Sequence, residues 1–136
     1  MKFNCKLAAM VIVAAALAAC GKKPKAEKAD PAYLALAQVR AAVQAYYNDH
    51  EGKFPDSLDE LTRGGRYLKQ LPKAPLAKHR DTNAVLLVSG RALDKKHLTD
   101  AGGYAYYNSD KYPDTKGAVV LNCTHADKKG APVHSH

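Results

Sequence analysis

The chain has 136 residues, 21 Lys and Arg against 13 Asp and Glu, and a formal charge of +8. Hydrophobic residues make up 46% and charged residues 25%, which excludes a disordered polar chain and leaves room for one ordinary domain. The distribution is uneven, because residues 7–19 are all apolar and four lysines follow within the next ten positions.

Lys2 and Lys6 precede the apolar run, which ends in small residues, the order of a secretory signal segment. As a helix the run would reach about 20 Å against a hydrocarbon core of about 30 Å, too short to span. It ends in Leu17-Ala18-Ala19-Cys20-Gly21, which resembles the lipobox of bacterial lipoproteins. That resemblance implies cleavage between Ala19 and Cys20, acylation of Cys20, and export to the cell envelope with a lipid anchor, the outer membrane favoured over the inner where there are two. Several acyl chains, at about 0.8 kcal/mol per buried CH2, anchor stably without a spanning helix. Residues 20–29, with Lys22, Lys23, Lys25 and Lys28 against Glu27, read as a solvated basic tether attracted to anionic head groups. The domain expected over residues 30–136 keeps 15 basic against 12 acidic side chains and is close to balanced.

Asp30-Pro31 starts a helix: Asp caps free N–H groups and Pro is preshaped for the first helical position. Tyr33, Leu36, Val39, Val43 and Tyr46 or Tyr47 then recur at spacings of three and four, predicting an amphipathic helix over residues 31–49 with Gly52 as its stop. Ser57-Leu-Asp-Glu60 matches a capping box and predicts a short second helix ended by Gly64-Gly65. The two prolines of Leu71-Pro-Lys-Ala-Pro75 make an extended connection. Ala84 to Val88, Tyr104 to Tyr107 and Ala118 to Leu121 are short apolar runs bounded by Gly, Asn, Asp and Pro, which predicts strands, the last two as an antiparallel pair. The expected fold class is α+β, with one long N-terminal amphipathic helix packed on a small antiparallel sheet.

The ordered pattern of Ala45-Tyr46-Tyr47, Gly52-Lys-Phe-Pro55, Ser57-Leu-Asp-Glu-Leu61, Tyr67-Leu68, Leu71-Pro-Lys-Ala-Pro75, Gly102-Gly103-Tyr104 and Val119-Val-Leu-Asn122 resembles the type IV pilin-like domain of the type II secretion major pseudopilin. The likeness covers roughly residues 33–123. It implies a pilin-like fold and a non-enzymatic binding or assembly module of a secretion or pilus machine. The chain departs from that family at its start, where a lipobox stands in place of the prepilin-peptidase site and long hydrophobic helix; a filament subunit of the usual kind is therefore not expected. Calcium sites in some members point to Asp94, Asp100, Asp110 and Asp114. However, calcium takes six to eight oxygens and Lys95, Lys96 and Lys111 lie among these aspartates.

Of three cysteines, Cys5 leaves with the signal and Cys20 is acylated, so Cys123 is left to be a buried small hydrophobe, a partner to another chain, or a ligand. Cys123-Thr-His125 places two metal ligands on one face if the strand continues, and His134-Ser-His136 repeats the alternation. These four are the zinc candidates, and a zinc-binding envelope lipoprotein is the alternative function. Their spacing matches no standard zinc module, so no metal or other cofactor is favoured. Ser57, Ser89 and Ser109 lack the glycine context of a nucleophile elbow, and no catalytic set is expected. His50 at a helix end is better placed as a cation near the dipole than as a base. Tyr104 and Tyr106 share one strand face and are expected to pack helix against sheet, with hydroxyls at the rim, rather than to stack nucleic acid bases.

Overall fold

The computed structural model describes residues 28–92 and 94–136. The signal segment 1–19, Cys20 and the tether up to residue 27 lie outside the described residues. Helix α1 runs over Pro31–Asp49, and the Asp30 side chain accepts the Ala32 N–H, as the Asp-Pro start requires. Its buried stripe is Ala32, Ala35, Leu36, Val39, Ala42 and Val43. Three of the six are alanines, which bring the helix axis close to the sheet, while Tyr33 and Tyr46 pack at its margin. Among the described residues no helix is long and apolar enough to cross a membrane.

The second helix is a 3-10 segment over Leu58–Gly65, not an α-helix; it is broken by non-helical backbone at Arg63 and Gly64, and its capping box is incomplete. Ser57 makes no side-chain cap; Glu60 instead accepts the Asp56 N–H at 3.2 Å and the Tyr46 hydroxyl at 2.5 Å. The carboxylate thus caps one position before Ser57, and the Glu60 N–H bonds the Ser57 carbonyl at 3.2 Å in place of its hydroxyl. Leu58 and Leu61 are fully buried, so packing holds this turn in place of the cap.

Strands β1 (Val85–Val88), β2 (Tyr104–Tyr107) and β3 (Val119–Leu121) form one sheet in the order β1-β2-β3. β2 and β3 are antiparallel as expected, but β1 runs parallel to β2, with Val85 opposite Tyr104 and Val88 opposite Tyr107. The sheet is therefore mixed, which corrects the antiparallel expectation. Residues 89–103 are long enough to return the chain to the starting end of β1, as a parallel pairing needs. That crossover has a second effect. Tyr104 and Tyr106 face α1 with Val119 and Leu121, while Ala105, Tyr107, Val120 and Val88 face the other way and are covered by Ala92 and Leu98 of the crossover. Both faces of β2 are thus buried, so the strand is apolar throughout instead of alternating.

Tyr104 donates to the Pro72 carbonyl at 2.9 Å, and Tyr106 donates to the Pro55 carbonyl at 2.6 Å from inside the core rather than from the rim. Tyr107 is equally buried, yet its hydroxyl has no partner among the described residues. The pair makes a controlled comparison. Tyr106→Phe leaves the Pro55 carbonyl with only the longer bond from the Asn108 amide at 3.4 Å and is expected to cost about 1 kcal/mol, whereas Tyr107→Phe removes an unpaired polar atom and is expected to be neutral or stabilising, read by urea unfolding.

Candidate metal centre

His79, Asp100, Cys123 and His125 come from three chain segments, and their donor atoms all lie within 4.8 Å of one another. His79 sits in the turn after Leu76, whose carbonyl accepts the His79 N–H at 3.1 Å. The preceding Lys78 is left-handed at φ 68°. Asp100, left-handed at φ 58°, lies in the approach to β2 and accepts the Thr124 N–H at 2.8 Å. Lys78 and Asp100 are two of only three non-glycine residues with positive φ among the described residues. Such conformations are costly and are kept where the surroundings hold them, commonly around functional groups.

Cys123 and His125 follow β3, but the strand ends at Leu121 and the Cys123 N–H turns back onto the Leu121 carbonyl at 2.9 Å. They converge through this turn, not by continued strand alternation. Asn122 is buried between them and the Asp100 loop; its amide donates to Thr99 Oγ1 at 2.9 Å and its carbonyl oxygen accepts the Thr99 N–H at 3.0 Å. Asn122 thus pins the Asp100 loop to the segment that carries Cys123. Gly102 completes the approach, since a Cβ there would lie 3.2 Å from the His79 Cβ.

His79 Nε2 lies 3.2 Å from Cys123 Sγ, 3.2 Å from His125 Nδ1 and 3.5 Å from Asp100 Oδ1. His125 Nδ1 lies 3.6 Å from Cys123 Sγ and 3.4 Å from Asp100 Oδ1. A tetrahedral zinc ion with Zn–N and Zn–O of about 2.1 Å and Zn–S of about 2.3 Å has ligand–ligand edges of about 3.3–3.6 Å. Three edges, His79–Asp100, His125–Asp100 and His125–Cys123, have zinc dimensions to within about 0.1 Å, while the His79–His125 and His79–Cys123 edges are shorter by about 0.2 and 0.4 Å, so a small outward shift of the His79 ring would complete the coordination. A proton relay would need different geometry: the thiol on one nitrogen of an imidazole and the carboxylate on the other. Cys123 and Asp100 instead approach the same nitrogen of His79, and the same nitrogen of His125.

The donor set also balances charge. A dication with one thiolate, one carboxylate and two neutral imidazoles sums to zero, so burying the loaded centre incurs little desolvation penalty. The soft sulfur and two imidazoles select zinc and its transition-metal neighbours over calcium or magnesium. Burial is the main effect that pushes the Cys123 thiol up from its ordinary range, so an incoming ion displaces the thiol proton.

The expected zinc set is brought together only in part. His134 is buried, and its Nδ1 donates to the Cys123 carbonyl at 3.2 Å, so it steadies a ligand's backbone without being a ligand. His136 lies apart, its ring 4.6 Å from Tyr33 and its Nε2 3.2 Å from Asp127. The calcium candidates do not converge: Asp94 pairs with Lys96, Asp110 with Lys116 and Asp114 with Arg91, while Asp100 belongs to the histidine cluster. These lysines and arginine neutralise the carboxylates one by one. His79 has no sequence signal of its own. For Asp100 the adjacent Gly102-Gly103 pair, which permits close backbone approach, is the available hint. No family model, curated protein or solved structure matches the chain.

Proposed function

We propose that this chain is a zinc-binding, lipid-anchored envelope protein, exported through its signal segment and held to the membrane by acylated Cys20, with one ion at His79, Asp100, Cys123 and His125. The observation that carries the reading is the convergence of four metal-ligating donors from three separate segments, all within 4.8 Å of one another. With four protein donors and no open position, the ion serves to lock the fold and to hold metal rather than to activate water.

Calorimetric titration of zinc into the metal-free full chain tests this, with one site per chain expected. Four ligands sharing roughly 10–16 kcal/mol give about 3 kcal/mol each, so Cys123→Ser is expected to weaken binding by roughly a hundredfold. Binding unchanged by Cys123→Ser sinks the site.

A second reading is a pilin-like assembly module of a secretion or pilus machine. The long helix laid on a small terminal sheet favours it. The two readings are compatible, since an ion that ties the loops around β2 and β3 would stiffen such a module. Co-purification from the native envelope tests it: recovery without any secretion or pilus component counts against the assembly role.

A further inference from the structure

Cys123 and His125 form part of the wall of a cavity of about 180 Å³ whose other walls include Tyr33, Leu76, Val133 and Asp127. That volume leaves room for a partly hydrated cation. The cavity shares Tyr33 and Asp127 with a surface groove to which His136 also contributes. At that junction Asp127 Oδ2 stands 3.2 Å from His136 Nε2 and 3.4 Å from the Tyr33 hydroxyl. Its other oxygen accepts the Lys129 and Ala131 N–H groups at 2.8 and 2.9 Å, which fixes the carboxylate's orientation and leaves Oδ2 directed at the histidine.

We propose that Asp127 and His136 form a capture pair that takes a divalent transition-metal ion from solution and passes it through this cavity to the His79, Asp100, Cys123 and His125 centre. The inference rests on the zinc-binding reading and adds to it the route by which the ion arrives. Imidazole nitrogen beside carboxylate oxygen is a donor pair suited to zinc and its neighbours, but two donors hold an ion only weakly, so it moves on. Lys78 and Lys128 offset Asp30 and Asp127 in the cavity wall, so the local field alone does not draw in a bare cation. Exchange of water for the Asp127 and His136 donors does that instead, and the stronger four-donor site beyond sets the direction.

The probe is cobalt(II), whose thiolate absorption reports arrival at Cys123, mixed with the metal-free full chain in a stopped-flow instrument. Asp127→Asn keeps an oxygen for the turn N–H groups, and His136→Ala alters a side chain at the groove, so circular dichroism should match the parent. Both variants are expected to load several-fold more slowly at unchanged equilibrium affinity, with release slowed by the same factor, because a group used only in transit cannot change the end states. Loading at the parent rate overturns the capture role and leaves the zinc reading standing. Reduced affinity at an unchanged loading rate also overturns it, since the pair would then act on the bound ion. A parent chain that takes up no cobalt or zinc removes the centre and the route together.

Discussion

Zinc at a hundred times its dissociation constant is expected to raise the thermal midpoint of the metal-free full chain by about 10–20 °C, and a chelator should return it. A ligand that binds only the folded state at that excess adds about 2.7 kcal/mol. A domain of this size moves by about 4–8 °C per kcal/mol. The effect is large here because the sheet is small, with strands of 4, 4 and 3 residues, and the ligands tie together three loops around it. His79 lies 44 residues from Cys123 and 46 from His125, so the unfolded chain must close long loops to assemble the same set. Differential scanning fluorimetry with and without zinc is the measurement. Asp110→Asn, which touches only the Lys116 pair, serves as the control and should keep the full shift. A midpoint indifferent to zinc in the parent chain would refute the fold-locking role.

Gly103→Ala is expected to destabilise the protein by about 3–5 kcal/mol, enough to unfold much of it near physiological temperature. Gly103 is left-handed at φ 71°, a conformation that costs a side chain about 1–2 kcal/mol. A Cβ there would also run into the Ala84 carbonyl oxygen, which accepts the Tyr104 N–H at 2.9 Å and begins the β1–β2 pairing. Backbone cannot yield as a flexible side chain does, so the clash pries β1 from β2. The same glycine follows the Asp100 loop, and the variant should therefore lose zinc affinity along with stability. Gly130→Ala is the comparison: it shares a positive φ of 82° but has no neighbour within 4 Å, so it should cost only the backbone strain. Equal losses in the two variants would show that close approach at Gly103 contributes nothing.

Much of the fold was legible in the sequence. Asp30-Pro31 and the three-and-four spacing of Leu36, Val39 and Val43 act within a few residues of one another, and the helix forms where they place it. The strand runs at Val85–Val88, Tyr104–Tyr107 and Val119–Leu121 are likewise marked by local composition and flanking turn formers. Local signals misled where a distant partner competed. Glu60 divides its carboxylate between the Asp56 N–H and the distant Tyr46 hydroxyl, and Tyr106 turns its hydroxyl inward because the Pro55 carbonyl lies within the core.

The metal centre shows the same division more sharply. Cys123 and His125 were visible as a spaced pair, since two residues apart is a local relation. His134 and His136 continued the alternation along the chain, but the turn after β3 and the 3-10 helix Val133–Ser135 sent one behind Cys123 and the other toward Tyr33. The sequence places Asp100 among the calcium candidates, and it carries no local signal that joins His79 to Cys123, 44 residues away.

By itself the sequence determined where the helix and strands lie, the antiparallel pairing of β2 with β3, and the pairing of Cys123 with His125 as potential ligands. All of these depend on neighbours a few positions apart. Only the tertiary structure decided the parallel course of β1, the burial of both faces of β2, and the meeting of His79 and Asp100 with Cys123 and His125. Those outcomes depend on which surfaces find each other after the crossover folds back, and residues more than twenty positions apart carry no periodic signal of that encounter.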